Sequence, residues 1–309
     1  MELNVFQPHE LPLVLRALRQ VALANEIFTP AEGELLEGIA QLHGGRVVPS
    51  ELQPIEYEDL AQVVTDPHRR KRAVQLAIIM SLVEGEPEPR GVDAVKSMAA
   101  ALAVPEQALT VLNKVAHGHA LLARIDVVRR MGGFLERSGA PGVFQVAAKT
   151  LLGLNENATV ARRYLALGEL APGTLGRAVF EHYREHGFAL PGERHGVPEA
   201  IMFHDVGHVL SGYGVDPLGE IQQAAFQAGF VRTDGFLFLL FGILQFHAGV
   251  KLTPIADAER GFFDVPKVLR AFQRGSSCAL DISDHFDLFA YAKEPLDSLR
   301  QRWGIPPVD

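Results

Sequence analysis

Apolar residues recur along this chain at the three- and four-residue spacing of helix faces, with little strand signal in its N-terminal half. Glu10 to Leu23 carries leucine and valine at that spacing. A second stretch opens at Pro30 and runs through Leu35, Leu36, Ile39 and Leu42 to Gly44 and Gly45, with proline at the start and glycine past the end as helices prefer. Asp66-Pro67 pairs a capping carboxylate with a proline at the first helical position, where a missing N–H does no harm. Val104-Pro105 begins another helix. The pattern predicts further helices from Pro198 to Gly212, from Asp216-Pro217 through residue 230, and over 235–248. Met131 to Gln145 concentrates glycine and proline, which predicts a domain boundary near 135–150. The expectation is an all-α protein of two helical domains, residues 1–135 and 136–309.

The most apolar stretch, Phe236 to Leu244 extended by Phe246, is cut off by Gln245, His247 and Lys251. It falls short of the about 20 apolar residues that cross a bilayer. It reads as a buried core helix or as a wall for a greasy ligand, with contact to a membrane surface as a third reading. At 48% hydrophobic and 21% charged residues the chain is rich enough to bury a core. Its 29 basic and 37 acidic residues leave a net charge of −8, which argues against a nucleic-acid partner. One cysteine, Cys278, excludes an intrachain disulfide. The N-terminal MELNVFQPHELP lacks the basic start and apolar run of a signal peptide, so a cytoplasmic location is expected. Apolar helices make a homodimer reasonable.

One constellation carries chemistry. His204-Asp205-Val206-Gly207-His208 is followed, eleven residues on, by Glu220. On a helix the two histidines project from one face, one turn apart, and Asp205 sits about 100° around, able to flank them. Glu220 falls in the first turn of the next helix, joined by the short Ser211-Gly212-Tyr213-Gly214 turn. It would face the histidines and supply an oxygen. Unpaired imidazoles and carboxylates among Met202, Phe203, Val206 and Val209 would be costly to bury; a divalent cation satisfies all four. Zinc is the first expectation, with iron, manganese and magnesium as alternatives. With four protein groups at most, a position stays open for water or substrate. A second pair, His182 and His186, lies among charges in a solvent-facing pattern.

Two hydrolase readings compete. The motif is close to the HExxH of zinc peptidases, but Asp205 is one methylene shorter than the glutamate that activates water there. HD-type phosphohydrolases need a further histidine and aspartate, for which His182, His247, Asp257 and Asp284 can be nominated. His247 and Gln245, at the end of the apolar helix, read as satisfied core residues or as groups orienting a ring substituent.

The HDxxH motif, the eleven-residue gap and Gly219-Glu220 resemble the fourth Coq protein family of ubiquinone biosynthesis. Pro172-Gly173-Thr174-Leu175-Gly176, where Thr174 reads as a helix N-cap, and Leu299 to Ile305 also match; the resemblance covers roughly residues 150–309. It implies an all-helical fold, a metal held by His204, Asp205, His208 and Glu220, and a channel for a polyprenyl tail. The activity implied is removal of the ring carboxylate from a prenylated hydroxybenzoate with hydroxylation at that carbon. The alternative is a non-catalytic isoprenoid-lipid-binding scaffold for other quinone-biosynthesis proteins, peripheral to the membrane. Phe226, Phe230, Phe236, Phe241 and Phe246 are the candidates for the lipid wall. In the N-terminal half, Val21–His43 and Met80–Leu102 share a helix, an acidic turn with proline, and an amphipathic helix. This duplication resembles the TerB-like domain associated with tellurite resistance. Asn25-Glu26 and Glu84-Gly85 stand where that family usually shows Asp-Gly, so Glu26, Glu32, Glu84 and Glu86 read as solvated turn carboxylates.

Overall fold

The computed structural model describes residues 2–137, 150, 152–253 and 256–308. These form fifteen α-helices and no strand, so the all-α expectation holds. In chain order the helices are α1 (Leu11–Ala22), α2 (Pro30–Leu42), α3 (Tyr57–Val63), α4 (Pro67–Met80), α5 (Pro89–Ala101), α6 (Ala108–Ala116) and α7 (Ala120–Arg137). There follow α8 (Ala158–Leu165), α9 (Leu175–Glu185), α10 (Met202–Ser211), α11 (Pro217–Phe230), α12 (Phe236–Phe246), α13 (Val265–Ser277), α14 (Leu288–Tyr291) and α15 (Leu296–Arg302).

Two compact units interleave in sequence. One comprises Glu2–Val127 with Phe236–Arg270, the other Val128–Gly235 with Ala271–Asp309. Residues 236–270, grouped by sequence pattern with the C-terminal half, therefore belong to the first unit. The predicted boundary falls largely on 138–149, outside the described residues.

In the first unit the helix starts follow local chemistry. Thr29 and Glu32 close a reciprocal capping box on α2, Thr29 Oγ1 accepting from Glu32 N at 3.3 Å and Glu32 Oε2 from Thr29 N at 2.8 Å. Asp66 accepts from Arg69 N at 2.8 Å and caps α4. Every residue of α4 from Arg72 to Met80 is buried. The helix expected at Val104-Pro105 begins instead at Ala108. Ala103 is left-handed at φ 53°, and the buried Glu106 carboxylate takes the Ala108 amide at 3.1 Å. Of the four turn carboxylates, Glu26 and Glu86 form exposed pairs with Arg90 and Arg260, and Glu84 is exposed. Glu32 departs from the solvated reading because its capping role buries it, and that burial, its largest influence, raises its pKa.

Helix α12 is a core helix, every residue buried except the half-buried Phe241. Among the described residues no helix is long and apolar enough to cross a membrane. Its C-terminal end is tied down by polar side chains. Gln245 donates to the Ala256 and Asp257 carbonyls at 3.0 and 2.8 Å and accepts from Leu252 N at 2.7 Å. His247 pairs Nε2 with Val83 O at 2.8 Å and accepts at Nδ1 from Phe263 N at 3.2 Å. Both are satisfied core residues.

In the second unit, the free N–H groups at the start of α9 go to the chain before α15. Leu175 N donates to Glu294 O at 3.0 Å and Gly176 N to Ala292 O at 2.9 Å. Thr174 stands at the N-cap position as predicted but does not cap; its hydroxyl donates to Ala171 O at 2.7 Å.

Candidate metal centre

The site is built on α10 and α11. A single 3₁₀ turn, Glu199–Ile201, leads into α10, whose Met202, Phe203, Val206, Val209 and Leu210 are buried. Gly212, left-handed at φ 76°, ends the helix as expected. Asp216 then accepts from Leu218 N and Gly219 N, both at 3.2 Å, which starts α11 and sets Glu220 in its first turn. Two close approaches pack the motif: Gly207 of α10 against Gln223 of α11, and Gly219 of α11 against Gly214 of the connecting turn. A Cβ on Gly207 would lie 2.1 Å from the Gln223 amide nitrogen, and one on Gly219 would lie 2.3 Å from Gly214 O. At Gly219 the obstacle is backbone and only glycine fits, while at Gly207 a Cβ would have to displace the Gln223 amide.

His204, His208 and Glu220 converge, one ligand atom from each lying within 4.8 Å of the others. The two Nε2 atoms are 3.2 Å apart, His204 Nε2 is 3.5 Å from Glu220 Oε2, and His208 Nε2 is 3.6 Å from Glu220 Oε1. A tetrahedral ion with bonds of about 2.0–2.2 Å sets its ligands about 3.3–3.6 Å apart. Each imidazole nitrogen has a different Glu220 oxygen at that distance and the two nitrogens lie just inside it, so the group could hold a metal ion.

Tautomers strengthen the fit. His208 Nδ1 donates to the Tyr213 carbonyl at 3.1 Å, and His204 Nδ1 to Gln227 Oε1 at 3.0 Å. Each neutral imidazole is thereby left with its Nε2 lone pair facing the other and Glu220. Two lone pairs and a carboxylate so arranged repel unless a cation or a proton sits among them. Without an ion the proton takes the place: burial opposes charge on His204, but the Glu220 carboxylate outweighs it and pushes the pKa up to about 9. Burial likewise opposes the Glu220 charge, yet hydrogen bonds from His204 and His208 bring its pKa down to about 2.

Exposure is one-sided. The His208 side chain is 1% exposed, against 37% for His204 and 20% for Glu220. One flank of the triad thus faces solvent, where a fourth position can take water or substrate.

Beneath the triad lies a buried polar layer. Gln223 accepts from Ser211 Oγ at 2.8 Å and donates to His204 O at 3.4 Å. Two arginines satisfy the last carbonyls of α10: Arg300 reaches Val209 O and Leu210 O at 2.9 and 3.0 Å, and Arg274 reaches Ser211 O at 3.0 Å. Cations at a helix C-terminus also favour its dipole. Sequence reasoning missed Gln223 and Gln227, although a signal existed: they follow Glu220 by three and seven residues on the same helix face.

Asp205, expected as a fourth ligand or a flanking group, stands outside the converging set. Its Oδ2 accepts the Tyr183 hydroxyl, which also lies 2.9 Å from Met202 Sδ. Tyr183 therefore ties α9 to α10 beside the triad. His182, read as solvent-facing, is instead half-buried and stacked on His208, centroids 5.6 Å apart at 22°. Burial first, then the neighbouring imidazoles, bring its pKa down to about 4, and its buried Nε2 has no hydrogen-bond partner. His186 is exposed as expected.

The other nominated groups are not members of the converging set. His247 and Asp257 lie in the first unit, where Asp257 pairs with Lys251, and Asp284 is exposed beside His285. Phe226 and Phe230 are fully buried against each other, centroids 5.4 Å apart, while Phe236, Phe241 and Phe246 belong to the first unit. The five therefore do not line one helix pair within a single unit. No protein-family model matches the chain, and no curated protein matches it either.

Proposed function

We propose that the second unit is a divalent-metal centre, zinc first, acting on a polyprenylated aromatic acid of the kind used in quinone biosynthesis. The observation that carries the metal is the convergence of His204, His208 and Glu220, with both imidazole Nδ1 atoms already engaged. Two histidines and one glutamate leave one tetrahedral position free, the pattern of catalytic and not structural zinc. The aromatic acid comes from the resemblance of the HDxxH and Gly219-Glu220 motif to the fourth Coq protein family.

When bound, the cation supplies Lewis acidity toward a ring carboxylate or phenolate oxygen. The chain's own residues hold and orient. Gln227 and the Tyr213 carbonyl fix the two imidazole tautomers, a role that outer partners of metal-bound histidines commonly fill. Tyr183 holds Asp205, and Arg274 with Arg300 fixes the end of α10. An apolar tail gains about 0.8 kcal/mol per methylene buried, which favours a prenylated over a free ring.

The test is incubation of the metal-loaded protein with a prenylated hydroxybenzoate, following release of carbon dioxide. Turnover that is lost in Glu220→Gln supports the catalytic reading. Saturable binding of the prenylated ring without turnover, in the presence of other quinone-biosynthesis proteins, supports the lipid-binding scaffold. Absence of both binding and turnover overturns the substrate class.

A further inference from the structure

A third helix grips the metal triad. On α9 the neighbouring residues His182 and Tyr183 reach positions 208 and 205 of α10. The Tyr183 hydroxyl donates to Asp205, and the His182 ring lies on the His208 ring, centroids 5.6 Å apart and planes 22° apart. That is the geometry of an offset-stacked pair.

His208 has use for such a neighbour. It is the buried ligand of the triad, its side chain 1% exposed, and its Nδ1 donates to the Tyr213 carbonyl at 3.1 Å. A hydrogen bond tolerates considerable misalignment. The Tyr213 carbonyl therefore fixes the tautomer of His208 more firmly than the tilt of its ring. A flat ring packed on its face resists that tilt, because turning His208 drives one edge into the neighbour.

His182 is held in turn. The rings of His186, Tyr183 and Phe188 stand around it at 4.8, 6.1 and 6.1 Å, inclined by 50°, 70° and 67°. Among the described residues its buried Nε2 has no hydrogen-bond partner. That nitrogen has no surface for a ligand or water to reach, so the side chain acts on the triad through its face. A buried unpaired polar atom costs stability, and a phenyl ring would stack without that cost.

We propose that His182 is a positioning residue of the metal centre. Its ring, carried by α9, sets the plane of the His208 imidazole and so aims the Nε2 lone pair of His208 at the ion. This rests on the reading of His204, His208 and Glu220 as a metal site.

The test uses the full-length chain with Zn²⁺ or Co²⁺. Zinc affinity is read by competition against a chromophoric chelator, ligand geometry by the visible absorption of the Co²⁺ form, and stability by urea unfolding of the ion-free protein. His182→Phe keeps a flat ring, so it should bind zinc within about twofold of the parent and keep the parent Co²⁺ spectrum. His182→Leu fills the space without a plane. It should weaken zinc binding by about three- to tenfold, the range expected for one aromatic pair, and alter the Co²⁺ bands. Both variants remove the unpaired nitrogen, so both should be at least as stable as the parent without the ion, which separates lost positioning from lost folding. A parent that binds no ion overturns the metal reading, and this proposal with it. Where the parent does bind, a His182→Leu protein with parent affinity and parent spectrum overturns the role of His182 alone. A His182→Phe protein as weak as His182→Leu overturns it too, since the flat face would then not be what the site uses.

Discussion

Replacing Gln227 with leucine isolates the support beneath the metal centre from its ligands. Gln227 is buried at 1% exposure and its Oε1 accepts the His204 Nδ1–H at 3.0 Å. Leucine is close to glutamine in size but offers no acceptor, so His204 loses the bond that fixes its tautomer and ring plane. Substitution of such a partner typically costs about 10–100-fold in metal affinity, or about 1.4–2.7 kcal/mol. The replacement strands the His204 Nδ1–H, which should cost the fold about 1–3 kcal/mol. The assay is competition for zinc against a chromophoric chelator, with circular dichroism as the fold control. Affinity equal to the parent in a folded Gln227→Leu protein would refute the role given to this bond.

Other consequences can be measured directly. In the ion-free protein the folded pKa of His204, about 9, exceeds its ordinary 6.5, so its stabilisation is complete below pH 6.5 and is lost as pH rises through about 9. Glu220, lowered to about 2 from 4.5, contributes above pH 4.5 and loses that contribution as pH falls through about 2. Melting curves of chelated parent and Glu220→Gln should therefore differ most between pH 4.5 and 6.5 and converge above pH 9; a constant offset at every pH contradicts the pairing. Gly207→Ala forces a methyl against the fully buried Gln223 and should cost about 1–3 kcal/mol in urea unfolding; a neutral substitution would mean that Gln223 has room to move. Arg274→Ala leaves the Ser211 and Pro306 carbonyls without their donor and should cost about 1–3 kcal/mol, read in the same unfolding experiment.

The helices were legible where local chemistry set them. Asp66-Pro67 and Asp216-Pro217 cap α4 and α11 as their sequence predicts, and α2 opens at Pro30, because a helix start depends mostly on neighbours in the chain. Val104-Pro105 misled for the converse reason: the Glu106 carboxylate, which takes the Ala108 amide just where the helix begins, is itself held by the distant Gln75 at 3.0 Å. The convergence of His204, His208 and Glu220 was legible because helical periodicity places the two histidines on one face, and the short turn brings Glu220 back to them. Asp205 could not be assigned that way. Its orientation is set by Tyr183, a residue of another helix, and no spacing within the motif encodes a partner twenty-two residues upstream. The placement of 236–270 was similarly hidden, since an all-apolar helix such as α12 carries no preferred face to announce its neighbours.

The central claim is that His204, His208 and Glu220 hold one divalent ion. Elemental analysis of the purified protein, repeated after dialysis against zinc, tests it most directly when set beside folded His208→Ala. The expected result is about one ion per chain in the parent, with little or none in the variant. A folded parent that retains no ion after zinc dialysis, or a His208→Ala protein that retains as much as the parent, would contradict it.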